Sequence, residues 1–389
     1  MDSVEAALAK IDERDAEIQA WSYVARDESL RAAQTAQGPL AGVPFGVKDI
    51  VDVAGMPTEW GTPVQKGRVP DKDAKLVARL KQLGAVPVGK THTTAFADFD
   101  PAPTRNPHSL EHTPGGSSSG SAAAVAAGMA LFALGSQTQG SVLRPASFCG
   151  VVGWKPTYGL LPLEGVMPFA PSLDHAGILA RSVEDVQKVW NALHGATAAA
   201  LPTTVTELSW PIEGELDRDM ASAFEEAVAS LIGGFRVVEA PAPKSFQALP
   251  GATATIMPFE AAEIHGPMLD KHGTAIGEKL AAHLEKGRRI SEAEYQEAKE
   301  AVYVAKREFR AWSKEHPLIV TASAVGTAPK GLESTGDPRC NVPWTTLGAP
   351  AISIPMRVDG LPLGLQLSAG YNEDAALLQA AGAAVELIG

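Results

Sequence analysis

Residues 113–159 read TPGGSSSGSAAAVAAGMALFALGSQTQGSVLRPASFCGVVGWKPTYG, and the composition here turns sharply to glycine, serine and alanine. Residues 122–130 predict a helix, because alanine has the best helix propensity and its small side chain permits close packing. On either side, residues 115–120 and 135–141 predict loops whose backbone approaches another group closely. A serine nucleophile needs a base for its proton and N–H donors for the oxyanion, and glycine-rich backbone leaves such donors open. Two serine clusters flank one short helix, so a single hairpin of chain can bring them together.

Neither cluster contains histidine, the commonest base. A lysine can replace it where burial disfavours the ammonium form. Lys48, in the segment GVPFGVKDIVD (residues 42–52), sits between Val47 and Asp49 in a mostly apolar run. A lysine beside an aspartate also reads as an ordinary ion pair, and residue types alone favour that plainer reading.

Outward from this stretch the chain alternates strand and helix. Ala6, Leu8, Ile11, Ile18 and Trp21 have the spacing of an amphipathic helix. Residues 42–52 predict a β-rich segment, 75–83 a helix ended by Gly84, and 85–89 a short buried strand. Residues 195–290 carry little pattern. Ser291 and Glu294 form a capping-box pattern, followed by Tyr295, Ala298, Val302, Ala305, Phe309 and Trp312 at steps of three and four. That stripe suits either core packing of one long helix or a homodimer contact; it lasts under three heptads, which favours packing. Residues 318–322, 351–355 and 363–367 predict strands, and 374–387 a closing helix. No repeat and no linker rich in Pro, Gly or Ser divides the chain, so one α/β domain over residues 1–389 is expected.

Three separated segments in this order resemble the amidase signature family: GVPFGVKD at residues 42–49, PGGSSSGS at residues 114–121, and GSQTQGSVLRPA at residues 135–146. The resemblance extends to Leu173-Asp174, to Thr335-Gly-Asp-Pro338 with Trp344, and to residues 360–367, and is weakest between about 195 and 290. It implies a single α/β domain, with a large central mixed β-sheet covered by helices on both faces. The catalytic core would span about residues 40–180, with a less legible pocket region at about 195–310. The match puts a lysine base on Lys48, a relay serine reached through a cis peptide on Ser117, and the nucleophile on Ser141, 24 residues further on. Oxyanion donors would be the backbone N–H groups of Thr138, Gln139, Gly140 and Ser141. The chemistry implied is hydrolysis of a small carboxamide to carboxylate and ammonia or a small amine, through an acyl-enzyme, with no metal or cofactor.

Many members of that family read GTDTGGSIR before and after the nucleophile. Here Gln137 stands for an aspartate and Gln139 for a glycine, and an amide can take over a carboxylate's hydrogen bonds. Arg144 lies three residues past the nucleophile rather than two, a placement similar to malonamidase-like members whose substrates carry a carboxylate. A guanidinium fork binds carboxylates bidentately; as a plainer reading, Arg144 ties two loops as a structural ion pair. The implied mechanism needs no histidine, so His92, His108, His112 and His175 read as structural or surface groups. Trp60, Phe96 and Trp154 read equally as core or as lining of an acyl pocket. Two alternatives stand beside a stand-alone amidase. One is the glutaminase subunit of a tRNA-dependent amidotransferase, for which the chain is short; the other is a non-catalytic binding protein on the same fold.

Bulk properties argue against nucleic acid and membranes as partners, leaving the small-molecule amide that the resemblance implies. With 389 residues, 45% of them hydrophobic, the chain can bury a large core. Its 33 basic and 45 acidic side chains give a formal charge of −12, which repels nucleic acid and anionic membranes. Cys149 and Cys340 make no disulfide framework and read as reduced, inert packing. The N-terminal residues carry acids where a signal peptide needs a basic start and an apolar run, so a cytoplasmic protein is expected.

Overall fold

In the computed structural model, residues 3–196, 199–209 and 216–388 are described. Their strands are β1 (Trp21–Val24), β2 (Pro44–Lys48), β3 (Val86–Thr91), β4 (Phe132–Gln137), β5 (Val152–Lys155), β6 (His175–Ala180), β7 (Thr204–Ser209), β8 (Arg236–Pro241), β9 (Leu318–Ala322), β10 (Ala351–Pro355) and β11 (Gly364–Ala369). The helices are α1 (Val4–Ile18), α2 (Arg26–Thr35), α3 (Lys75–Gln82), α4 (Ser119–Ala126), α5 (Leu143–Cys149), α6 (Val183–His194), α7 (Arg218–Leu231), α8 (Leu249–His272), α9 (Glu278–Gly287), α10 (Glu292–Trp312), α11 (Val342–Leu347) and α12 (Asp374–Ile388).

All the strands join one sheet in the order β1-β3-β2-β4-β6-β5-β10-β11-β9-β7-β8. It is mixed: β3-β2-β4 and β9-β7-β8 run parallel, while β4-β6-β5-β10-β11-β9 is antiparallel throughout. Every residue of β2, β3, β4, β5, β6, β9 and β11 is buried, so helices and loops cover both faces of the centre. The expected single-domain α/β architecture is the one observed. Among the described residues no helix is long and apolar enough to cross a membrane.

Local differences from the expected elements have plain causes. Trp21 belongs to β1, since α1 closes at Ile18 with Gln19 in the left-handed conformation. The alanine-rich helix stops at Ala126 rather than residue 130, because the chain reverses at Gly128 (φ 73°) to enter β4. Gly135 is a strand residue, not a loop residue, and pairs with Gly177. The close approach is nonetheless real, as a Cβ on Gly135 would lie 2.9 Å from both Leu179 Cδ1 and Ser118 Oγ. On α10 the capping box forms, and Ala298, Val302, Ala305 and Phe309 are buried on a face that packs against α8 and α11. The buried residues of the stripe therefore serve the core of this chain.

Candidate active site

Lys48 is the last residue of β2, between β3 and β4, and is fully buried. Its Nζ lies 2.7 Å from Ser117 Oγ and 2.7 Å from Ser136 Oγ. The neighbouring Asp49 turns away. It accepts hydrogen bonds from the backbone N–H groups of Glu59 and Gly61 and sits 3.6 Å from Lys90 Nζ. An ion pair between Lys48 and its sequence neighbour is thus absent: the strand ends at Lys48, and Asp49 lies in the following turn with its carboxylate toward Glu59, Gly61 and Lys90. Burial holds the Lys48 ammonium well below the usual lysine range, opposed only in part by the charge of Asp174. Burial thus favours the neutral amine that a base requires.

The serine cluster before α4 divides its labour. The Gly116–Ser117 peptide bond is cis, and Ser117 faces Lys48. Ser118 binds the backbone of Ser136 twice, donating to its carbonyl (3.2 Å) and accepting from its N–H (3.3 Å). Ser119 Oγ donates to Gly115 O at 2.7 Å, and Ser121 Oγ to Leu134 O at 2.9 Å. These bonds make the hairpin expected from the two clusters. Ser136 as a second hydroxyl on Lys48 was not legible: nothing in the run Gly135-Ser-Gln-Thr distinguishes a serine aimed at a lysine from one aimed elsewhere.

The loop from β4 into α5 is clasped by Gln137. Its Oε1 accepts the N–H groups of Val142 (2.9 Å) and Leu143 (3.1 Å), and its Nε2 donates to Thr345 Oγ1 at 2.8 Å. An amide here does hold the loop in a carboxylate's place. Thr345 Oγ1 in turn donates to Gln139 O at 2.7 Å, and Thr138 Oγ1 donates to Asp174 Oδ1 at 2.6 Å. Asp174 Oδ2 receives the N–H groups of Phe169 and Ala170. Among the described residues no hydrogen bond uses the backbone N–H groups of Thr138, Gln139, Gly140 or Ser141, so four donors are free where the loop turns.

Ser141 is half-buried and lines a narrow cavity with Ser117, Thr138, Gln139, Arg144, Phe169 and Met257. Arg144 is 2% exposed. Its Nε donates to Thr335 O (2.6 Å), and its Nη2 to Gly116 O (2.8 Å) and Thr335 Oγ1 (3.2 Å). It does tie two loops, but through carbonyl and hydroxyl oxygens rather than as an ion pair. Nη1 is buried without a partner. Burial pulls the guanidinium down to about 10, which leaves it charged at neutral pH.

A second space of about 230 Å³ shares Ala97, Thr138 and Phe169 with the first and adds Ser136, Tyr158, Met167 and His175. Trp60, Phe96 and Trp154 line neither; Trp60 packs edge-on to Phe96, and Trp154 edge-on to Trp190. Of residues 195–310, Met257 alone reaches the cavity at Ser141 among the described residues. His108 lies against Cys149 O and His112 against Ser109 Oγ, both outside these spaces. His175 lines the second space, and burial keeps its imidazole neutral.

Residues 2–378 match the sequence model of the family described as Amidase. A glutamyl-tRNA(Gln) amidotransferase subunit from Symbiobacterium thermophilum is 33% identical, over 97% of this chain and 91% of that protein. A crystal structure of an amidase is similar with a TM-score of 0.90 at 30% identity, covering 99% of this chain and 95% of that one. The corresponding amidotransferase subunit from Thermotoga maritima gives a TM-score of 0.81 at 27% identity, over 97% and 89%.

Proposed function

Because the chain belongs to the amidase family, whose members are hydrolases of amide C–N bonds, we propose that it cleaves a small carboxamide through an acyl-enzyme on Ser141. The observation that carries this reading is the fully buried Lys48 Nζ, 2.7 Å from Ser117 Oγ, where burial pulls its ammonium well below the usual lysine range. Lys48 takes the proton of Ser117 as Ser117 takes that of Ser141, and Ser141 Oγ forms a bond to the carbonyl carbon. The free N–H groups of Thr138 through Ser141 receive the oxyanion; such donors act strongly because they are already oriented. The C–N bond then breaks, and the proton returns by Ser117 to the leaving nitrogen. Water adds to the ester by the same relay and releases the carboxylate.

Arg144 sharpens the substrate. Arg144 lines the same cavity as Ser141 and its buried Nη1 has no partner, and a buried donor without a partner costs free energy that a ligand oxygen would restore. The acyl part therefore carries a carboxylate, as the malonamidase-like placement of this arginine suggests. Arg144→Lys keeps the charge and loses the planar fork. In that variant the preference for a carboxylate-bearing amide over its neutral isostere should fall about tenfold or more in kcat/KM.

The relatives bear on whether the enzyme works alone. The 33% identity to a glutamyl-tRNA(Gln) amidotransferase component weighs toward a glutaminase role, with glutamine as substrate and partner chains around it. Ammonia release from a panel of amides by the isolated chain tests this. Turnover of glutamine that needs added partner chains supports the amidotransferase reading, whereas efficient turnover alone supports a stand-alone amidohydrolase. In either case Ser141→Ala should abolish turnover in a folded protein, and ordinary turnover by that variant overturns the assignment.

A further inference from the structure

Asp174 is buried and stands just ahead of β6, where it faces the loop that leaves β4. The strand register places it there: Gln137 pairs with His175, so the next pair outward is Thr138 with Asp174. Alternate residues of a strand share a face, which puts Thr138 and Asp174 on the same side as Ser136. That is the side of Lys48, whose Nζ lies 2.7 Å from Ser136 Oγ. Ser136, Thr138 and Asp174 accordingly line one space of about 230 Å³. Thr138 Oγ1 donates to Asp174 Oδ1 at 2.6 Å, and the N–H groups of Phe169 (2.8 Å) and Ala170 (3.0 Å) donate to Oδ2. These bonds oppose the rise that burial imposes on the carboxyl, and they favour its charged form. All three donors are neutral, so among the described residues that charge has no counter-ion in contact.

The other titratable groups around this space are engaged elsewhere. Asp49 faces Lys90 at 3.6 Å, Glu260 binds Ser172 and Tyr295, and the Tyr158 hydroxyl donates to Pro171 O. His175 Nδ1 lies 2.6 Å from Leu173 O, and burial keeps that imidazole neutral. Asp174 is left as the negative charge that acts on Lys48. We propose that Asp174 is a positioning residue with two effects: it fixes the oxyanion loop through Thr138, and it supplies the counter-charge to the ammonium that Lys48 becomes on taking the serine proton. The first effect reaches the backbone, since Thr138 opens the run of free N–H donors. The second balances a charge that would otherwise form uncompensated in a fully buried place. No proton passes to Asp174; the one taken from Ser117 stays on Lys48 until it returns through Ser117 to the leaving nitrogen. This rests on the reading of Lys48 as the base.

Two variants separate the effects, assayed on the amide that wild type turns over fastest. Without the carboxylate Lys48 holds its proton less tightly. Asp174→Asn should therefore move the rising limb of the kcat profile to lower pH while cutting its plateau by about tenfold or more. Thr138→Val keeps the charge and loses the tie. Its plateau should fall by about tenfold with the limb in place, and Thr138→Ser should restore the rate. Wild-type turnover by Asp174→Asn or by Thr138→Val overturns the proposal. If Asp174→Asn fails to fold, Thr138→Val decides: a loss that serine rescues supports the proposal, and a loss that serine does not rescue overturns it. If Asp174→Asn folds and its limb stays in place, the Lys48 amine, titrated by nitrogen NMR in wild type and variant, tells which reading has failed. An amine that titrates at lower pH in the variant removes Lys48 as the base and leaves Asp174 as its counter-charge. An amine that titrates unchanged overturns the proposal.

Discussion

Residues 113–159 and residues 249–312 meet at one cavity and contribute to it in opposite ways. The first region supplies backbone N–H groups and hydroxyls fixed by hydrogen bonds within a few residues, as with Ser119 to Gly115 and Gln137 to Val142. The second consists of three long helices and gives the cavity a single side chain, Met257. Otherwise it works from behind. Glu260 accepts Ser172 N–H (2.9 Å) and the Tyr295 hydroxyl (2.7 Å), His265 lies 2.8 Å from Pro168 O, and His283 holds Asp98. Most candidate catalytic groups are thus carried by one short stretch of chain, which Lys48, Thr335 and Thr345 join from elsewhere, whereas the facing wall is braced at a distance.

The contrast predicts where damage falls. The largest effects belong to the first region and to Lys48. Lys48→Ala and Ser117→Ala should each lower kcat by roughly a thousandfold or more, with Ser117 somewhat the milder, while Ser136→Ala costs about tenfold because Lys48 keeps Ser117. Single-turnover acylation of a chromogenic amide reads these directly, and a Ser136→Ala loss equal to that of Lys48→Ala would make the second hydroxyl part of the relay itself.

An intermediate effect is expected from the second region. Met257→Ala should change the ranking of substrates by about tenfold in kcat/KM while leaving the shape of the pH–rate profile unaltered. That profile should rise with pH, since the lysine must be neutral, with its limb below the ordinary lysine value of 10.5 because burial depresses the group. A rising limb that disappears on replacing His175 instead would transfer the base to histidine.

The smallest effect concerns stability. Lys155, buried at the end of β5, has its ammonium pulled by burial to about 7 from an ordinary 10.5. Between those values the unfolded chain binds more protons than the folded one, so stability rises with pH across that window. The penalty is present in full below about 7 and gone above 10.5. Lys155→Met should flatten this slope, by on the order of 6 °C in Tm between the two ends, as followed by thermal melts across the same range.

The same division governs what could be read from the sequence. The site was legible because its geometry is written in consecutive residues: glycines where a Cβ would collide, serines at fixed offsets, one lysine at a strand end. The strands at residues 318–322 and 351–355 were legible from their apolar runs. Helix α8 was not. Pro258 and Pro267 sit inside it and read as breakers, yet the helix continues through both with Ile256, Met257, Glu260, Ala261 and His265 buried. The pairing of Asp98 with His283 was not legible for a different reason: the partners lie 185 residues apart, and no local pattern marks that.

The clasp on the β4–α5 loop has a consequence for how the enzyme comes into being. Lys48, Ser117 and Ser141 all leave the ribosome within the first 141 residues, yet Gln137 closes on Thr345 and Arg144 on Thr335. A nascent or truncated chain that ends before residue 335 has all three candidate catalytic residues and lacks both fastenings. Order of synthesis therefore sets an interval in which the candidate site's side chains are present while the loop that carries Ser141 has nothing yet to close upon.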